Sequence, residues 1–191
     1  MNRRKAIGRI LLVGGGAAAG YSGLKWYELK KSPDIAYLEK KRELLADLAE
    51  TIIPATDSPG AKDAAVQDFI IVMVRDCADI KTKNRFIDGL KELEHYCEAE
   101  YKQGFSQCSP QEKQQVMKYF MEKGRPFRGV LGKVQNRLLG KSFFQTLQEY
   151  SAEGYCTSEI GATRGLAYIP IPGKYMGCTP LQKGQRSWAT K

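Results

Sequence analysis

Apolar residues recur three or four positions apart through most of the chain, which is the spacing of amphipathic helices. A first helix is predicted between residues 33 and 53, and Pro54 ends it because proline has no amide hydrogen to donate. Further series predict a second helix from Val66 to about Asp79 and a third from Asn84 to Tyr101. The apolar positions that define these helices are Ile35, Leu38, Leu44, Leu45, Leu48, Ile52, Val66, Phe69, Ile70, Met73, Val74, Phe86, Leu90, Leu93 and Cys97.

The clearest helix start is the segment from Ser109 to Glu112. It combines a serine that can cap, a proline at the first helical position and a glutamate that can bond back to the cap. This fourth helix is predicted to end near Lys123, and residues 130–150 predict one or two more around Gly140. Since no segment alternates as a strand does, we predict an all-α fold, a compact bundle of about five to six helices.

The last part of the chain, from about residue 154, contains too many glycines and prolines for a long helix. Thr157 or Ser158 is expected to cap a short helix that runs through Gly165, before a proline-rich stretch. Aromatic and branched residues are frequent here, although disordered tails lack them. We therefore predict an ordered, irregular C-terminal strap that packs on the chain's own body or on a partner.

The first 23 residues have the composition of an export leader. Arg3 and Arg4 belong to a cationic patch, and an apolar run from Ile10 to Gly20 follows it. This run is shorter than the roughly 20 apolar residues that a membrane-spanning helix needs. Adjacent arginines before a weakly hydrophobic, glycine-rich run are typical of twin-arginine signals, which carry folded proteins. We assign Arg3 and Arg4 to such a signal, leaving open whether the segment is cleaved or kept as a tether.

Residues 24–35 form a charged connector, and residues 36–191 are predicted to form a single domain. The formal net charge of +9 falls to +5 without the four basic residues of the leader, Arg3, Arg4, Lys5 and Arg9. Lysines alternate with glutamates along the predicted helices, as on solvated helix faces. This pattern argues against a nucleic-acid-binding surface.

The sequence offers little catalytic equipment. No dinucleotide fingerprint or phosphate-binding loop is present, and the single histidine, His95, lies among glutamates on a predicted helix face. The cysteines lack the paired spacing of zinc or iron–sulfur ligands. We therefore predict no catalytic, cofactor-binding or metal-binding residues.

An oxidising compartment would permit disulfides, but an odd number of cysteines leaves at least one thiol unpaired within the chain. These cysteines are Cys77, Cys97, Cys108, Cys156 and Cys178.

Two separate motifs resemble those of one known family. The first is the helix end and acidic turn ETIIPATDSPGAKDAAV at 50–66. The second comprises GYCTSEIG at 154–161, YIPIPGKYMGCTPL at 168–181 and GQRSWA at 184–189. In this order they are similar to the gluconate 2-dehydrogenase subunit 3 family, over about residues 36–190. Cys156 departs from the pattern, since aromatic or small residues are more usual there.

The resemblance implies a small helical subunit, without a cofactor of its own, in an exported oxidoreductase complex. The large subunit of such a complex contains FAD, is of the glucose-methanol-choline type and oxidises a sugar, sugar acid or glycoside. Electrons then pass to a cytochrome c or to quinones. The small subunit would help its partner to fold and supply the twin-arginine signal for both, which implies a periplasmic location, free or attached to the inner membrane.

Several residues acquire expected roles from this resemblance. Aromatic residues on irregular backbone suit an interface with the large subunit, although they could equally cover the domain's own core. Cys178, within the family signature, is the candidate for a disulfide that pins the strap to the helices. For Asp57 and Asp63, local capping is favoured over pairing with arginines of the partner. The expected interface residues are Tyr155, Glu159, Tyr168, Pro170, Pro172, Tyr175 and Trp188.

Two alternatives of other classes stay open. The chain could be a stand-alone thiol redox protein that uses Cys156, in which case that thiol should have a low pKa. It could also be a membrane-tethered structural protein without a flavoprotein partner.

Overall fold

A computed structural model of the protein describes residues 31–125, 129, 140–171, 173–174, 177–178, 180–181 and 183–189. Over these residues the backbone is helical and contains no strand, so the all-α prediction is confirmed. The helices are α1 Ile35–Lys40, α2 Arg42–Ile52, α3 Val66–Val72, α4 Ile80–Tyr101, α5 Pro110–Lys123 and α6 Phe143–Thr157. Short π-helical turns lie at Met73–Cys77 and Gly161–Gly165, and a 3₁₀ turn lies at Phe105–Gln107. The leader and the part of the predicted helical segment 130–150 that precedes Gly140 lie outside the described residues.

Reciprocal side-chain caps start two of these helices. The Glu112 amide donates to the Ser109 hydroxyl at 3.4 Å, and the Glu112 carboxylate accepts from the Ser109 amide at 2.7 Å, as predicted. Ser142 and Gln145 form the same arrangement at the start of α6, with distances of 3.3 and 3.1 Å. The second cap was not predicted, although serine followed three residues later by glutamine also fits the pattern of a capping box.

The first predicted helix, over residues 33–53, is interrupted. The Lys41 amide donates to the Leu38 carbonyl at 3.1 Å, a three-residue spacing that closes α1 before α2 begins. The predicted apolar face survives the break, since Leu38, Leu45 and Leu48 are all completely buried. The predicted third helix begins earlier than expected, at Ile80, because the Asp79 carboxylate accepts from the Thr82 amide at 3.0 Å.

The core lies where α6 packs against α3 and α4. Phe143, at the start of α6, contacts the rings of Phe86 and Phe120, with centroid distances of 5.3 and 5.7 Å. Gly89 lets α4 come this close, because an added Cβ would lie only 2.3 Å from the Phe143 Cβ. Fully buried core side chains include Leu38, Leu45, Leu48, Val66, Ile70, Val74, Phe86, Leu90, Leu93, Val116 and Leu147.

Helical backbone extends further than predicted at the C-terminal end. Residues 154–157 belong to α6, and the Ser158 hydroxyl accepts from the Gly161 amide at 2.9 Å, so Ser158 is the cap of the next turn. The irregular strap therefore begins at Leu166 rather than near residue 154, and it comprises residues 166–189. Its two ends meet where Ala167 donates to the Ser187 carbonyl at 2.8 Å and accepts from the Ala189 amide at 2.9 Å.

None of the helices in the described part of the chain has the length and apolar character needed to cross a membrane.

Replacing Gly89 by alanine should destabilise the fold by about 1–3 kcal/mol, because the new methyl group collides with Phe143. Helix propensity alone would make the alanine variant more stable by about 1 kcal/mol. A decrease in the free energy of unfolding therefore indicates the steric contact. Urea unfolding measures the difference. The matched control is Gly104→Ala, since a Cβ there meets nothing within 4 Å and the backbone is extended. Equal stability of the two variants would contradict the proposed contact.

Candidate functional site

The turn that follows α2, residues 54–63, is organised around the carboxylate of Glu50. Its oxygens accept from the backbone amides of Ala55 and Lys62, each at 2.9 Å. Gly60 packs directly on this carboxylate, since an added Cβ would lie 2.4 Å from the Glu50 Oε1 atom. Two hydrogen bonds from one carboxylate to amides on both sides of the turn hold it in one conformation. We call residues 54–63 the acidic turn.

The two aspartates of the acidic turn have local partners. The Asp63 carboxylate accepts from the Gly60 amide at 3.1 Å, and Asp57 accepts from the Thr56 hydroxyl at 3.0 Å. Both contacts lie within the turn, but only that of Asp63 is to a backbone amide. The interpretation as a local capping residue is therefore confirmed for Asp63, whereas for Asp57 it stays a prediction.

An ion pair fixes the far end of the acidic turn to α2. The Lys62 ammonium group bonds to the Asp47 carboxylate. Burial works to raise the pKa of Asp47, but the hydrogen bonds from Lys62 and Ser106 outweigh it, so the pKa lies below its ordinary value. Asp47 therefore remains charged and paired at neutral pH.

Tyr155 connects the acidic turn to α6. Its hydroxyl donates to the Pro59 carbonyl at 2.7 Å, across 96 positions of sequence. Gly165 lies against the same ring, because an added Cβ there would be 2.2 Å from the Tyr155 hydroxyl. Only 7 % of Tyr155 is exposed. The prediction that Tyr155 lies at a partner surface is therefore wrong: it belongs to a helix whose inner face covers the domain's own core.

An open pocket of about 600 Å³ lies where the acidic turn, the π-helical turn Gly161–Gly165 and the strap meet. The Arg186 guanidinium donates to the Arg164 carbonyl at 2.5 Å, which holds the strap against the π-helical turn. The pocket thus brings together two sequence motifs that lie about a hundred residues apart. We call it the junction pocket, and its polar lining includes Thr56, Asp57, Ser58, Asp63, Thr163, Arg164 and Arg186.

The lining of the junction pocket is mostly polar and charged. It contains carboxylates, guanidinium groups and hydroxyls, which can form ion pairs and hydrogen bonds with another polar surface. No histidine or cysteine lines it. Within the described ranges, no group of three or more His, Cys, Asp and Glu side chains could hold a metal ion.

The strap, which contributes Arg186 to this pocket, exposes several large apolar side chains. Tyr168 is 47 % exposed and Trp188 53 %, and both were predicted to face a partner. Ile171 and Leu181 are 84 % and 88 % exposed. Leu181 was missed because a single leucine among prolines and glycines carries no periodic signal. Glu159 and Pro170 are also exposed, whereas Pro172 and Tyr175 lie outside the described residues.

All five cysteines lie within the described residues, and each is a free thiol. Cys178 is exposed in the strap, so the bridge expected to pin the strap to the helices is not formed. The backbone pairing of Ala167 and the bond from Arg186 to Arg164 hold the strap instead. Cys156, the candidate of the thiol redox alternative, is exposed on α6.

The fold and the site together define a class of protein: a small helical domain with a polar pocket where two sequence motifs meet. Comparison with known families identifies it further, since the model of the family described as gluconate 2-dehydrogenase subunit 3 matches residues 39–173. The chain therefore belongs to the gluconate 2-dehydrogenase subunit 3 family, which makes it an accessory subunit of a dehydrogenase complex. The match ends at Gly173, so Cys178 and the last part of the strap lie beyond it. No curated protein and no solved structure matches the chain.

Changing Tyr155 to phenylalanine should reduce the free energy of unfolding by about 1 kcal/mol, because the Pro59 carbonyl loses its donor while the ring remains. Amide hydrogen exchange in the acidic turn should become faster, since its attachment to α6 is weakened. Chemical denaturation and exchange measured by mass spectrometry test both effects.

The control is Tyr150→Phe on the same helix, because no described residue forms a hydrogen bond with the Tyr150 hydroxyl. This variant should leave the exchange of the acidic turn unchanged. If the two variants behave alike, the Tyr155 hydroxyl does not hold the turn.

Proposed function

We propose that the chain is the non-catalytic accessory subunit that binds, helps to fold and co-exports the FAD-containing subunit of a sugar, sugar-acid or glycoside dehydrogenase. The observation that carries this proposal is the group of exposed apolar side chains on the strap. That the chain acts within a dehydrogenase complex follows from its family. The large subunit would be of the glucose-methanol-choline type, would hold the flavin and would pass electrons to a carrier such as a cytochrome c.

The exposure of the strap favours a binding surface over a cover for the domain's own core. Tyr168, Ile171 and Trp188 are all exposed, and the pairing of Ala167 with Trp188 brings the first and last of them to the same end of the strap. Exposed apolar patches on proteins mark interaction sites. Tyrosine and tryptophan are also the residues that most often contribute large binding energies at interfaces.

The junction pocket complements this apolar surface. Protein interfaces combine an apolar centre with a polar rim that forms hydrogen bonds and ion pairs. Arg164 belongs to the π-helical turn and Arg186 to the strap, while Asp57 and Asp63 lie on the acidic turn. The rim therefore carries both positively and negatively charged side chains. It favours a partner whose surface charges are complementary and disfavours proteins with like charges at these positions.

The mechanism that we propose is stabilisation by preferential binding. A subunit that binds the folded, FAD-loaded state of its partner but not the unfolded state shifts the partner toward the loaded state by mass action. The twin-arginine route carries folded proteins, so a complex that is assembled first could cross the membrane on one signal. Arg3 and Arg4 would supply that signal, and the complex would function in the periplasm, free or attached to the inner membrane.

The strap is tested by co-expression of the tagged chain with the genes that neighbour its own. Replacing Tyr168 and Trp188 together by serine should weaken binding at least about tenfold, because two aromatic contacts are removed from the interface. The backbone pairing of the strap is retained in this variant, since main-chain atoms form it. Recovery of a flavin-containing partner on the tagged chain, followed by its visible absorbance, measures the effect.

The matched control replaces Val72 and Met121, which are similarly exposed on the helices, by serine. This pair should leave recovery of the flavoprotein unchanged. Undiminished recovery with the strap variant, or purification without any flavin-containing subunit, would contradict the proposal.

The export signal is tested by replacing Arg3 and Arg4 by lysine, which preserves charge but removes the arginine pair. Both the chain and the large subunit should then accumulate in the cytoplasm, as shown by cell fractionation. The control exchanges Lys5 for arginine and Arg9 for lysine, and it should be exported normally. Continued export of the large subunit beside the lysine variant would refute a shared signal.

A further inference from the structure

Two of the free thiols are buried side by side. Cys97 lies near the end of α4 and is completely buried, and Cys108 follows the 3₁₀ turn with 5 % exposed. Cys97 lies against Cys108, whose thiol in turn donates to the Gly104 carbonyl at 3.5 Å. The remaining cysteines, Cys77, Cys156 and Cys178, are exposed.

The connection between α4 and α5 brings these thiols together. Helix α4 ends at Tyr101, and Lys102 reverses the chain through a left-handed conformation with φ of 56°. Phe105 then returns to the core that also contains Cys97, so the 3₁₀ turn packs back on α4. Cys97 and Cys108 are eleven positions apart, and this return places them at the same point of the core.

We propose that Cys97 and Cys108 form an intrachain disulfide bond when the folded chain meets a disulfide oxidant, and that the bond fixes the connection between α4 and α5. The Cys108 thiolate attacks the disulfide of the oxidant, which forms a mixed disulfide and releases one thiolate. The Cys97 thiolate then attacks the Cys108 sulfur, and the second thiolate of the oxidant leaves. The two cysteines lose two electrons and two protons, and the oxidant is reduced to two thiols.

The order of attack follows from burial. Cys108 has the small exposed fraction that an oxidant can reach, whereas Cys97 has none. Burial, together with the neighbouring Cys108, raises the pKa of Cys97 to about 12, so its thiolate is rare at neutral pH. Oxidation should therefore be slow and should require a local opening of residues 102–108. The chain can thus fold with both cysteines reduced, and the disulfide bond can form afterwards.

The test uses the purified full chain and oxidised glutathione, without the flavoprotein, so its outcome is independent of the proposed function. After alkylation of the remaining thiols, trypsin cleaves behind Lys91, Lys102 and Lys113. Cys97 and Cys108 then lie in separate peptides, 92–102 and 103–113. Mass spectrometry should find these two peptides joined, and a reductant should separate them.

Reaction of the exposed Cys156 with glutathione shows in the same sample that the oxidant was active. Under that condition, recovery of the Cys97 and Cys108 peptides as separate alkylated species would overturn the proposal. Stable addition of glutathione to Cys108 without closure of the intrachain bond would overturn it equally.

A second measurement concerns stability. Oxidised wild-type chain should melt about 5–10 °C above the reduced chain, because a short loop is closed. The difference should vanish in Cys97→Ala and in Cys108→Ala and persist in Cys156→Ser. If an alanine variant does not fold, the linked peptides of the wild-type chain still decide the question.

Discussion

The junction pocket of this protein depends on the hydrogen bond from the Tyr155 hydroxyl to the Pro59 carbonyl. This bond joins α6 to the acidic turn, and α6 leads directly into the π-helical turn that anchors the strap. The ring of Tyr155 also fills the space beside Gly165. Because one buried side chain positions both motifs, the junction pocket is a property of the folded domain and not of either segment alone.

Within the acidic turn, a second constraint acts at short range. The Glu50 carboxylate, in the last turn of α2, accepts from the backbone amides of Ala55 and Lys62, which both follow the helix. Gly60 is needed because any side chain would displace this carboxylate. The helix end and the turn therefore form one unit. An acidic side chain of α2, rather than a backbone carbonyl, is the acceptor for these two amides.

Local patterns in the sequence predicted most of the helices, because periodicity and capping act within a few residues. Ser109 is the clearest example, since its partner Glu112 lies three positions away. The inward position of Tyr155 was not predictable in the same way: its partner is 96 positions distant, and a tyrosine in a family motif suits either a core or an interface. The junction pocket was missed for the same reason. Tyr168 and Trp188 were recognised as candidates because aromatic residues among prolines and glycines cannot belong to a helix face.

The pairing of Ala167 with the backbone on either side of Trp188 makes the strap a closed loop whose ends are neighbours in space. Residues inserted between those ends would not have to separate any of the helices. The entropic cost of closing a loop also rises only slowly with its length. Relatives could thus acquire longer, shorter or differently composed loops on an unchanged helical body. Changes in this loop could therefore alter which partner proteins are bound without changing the helical body.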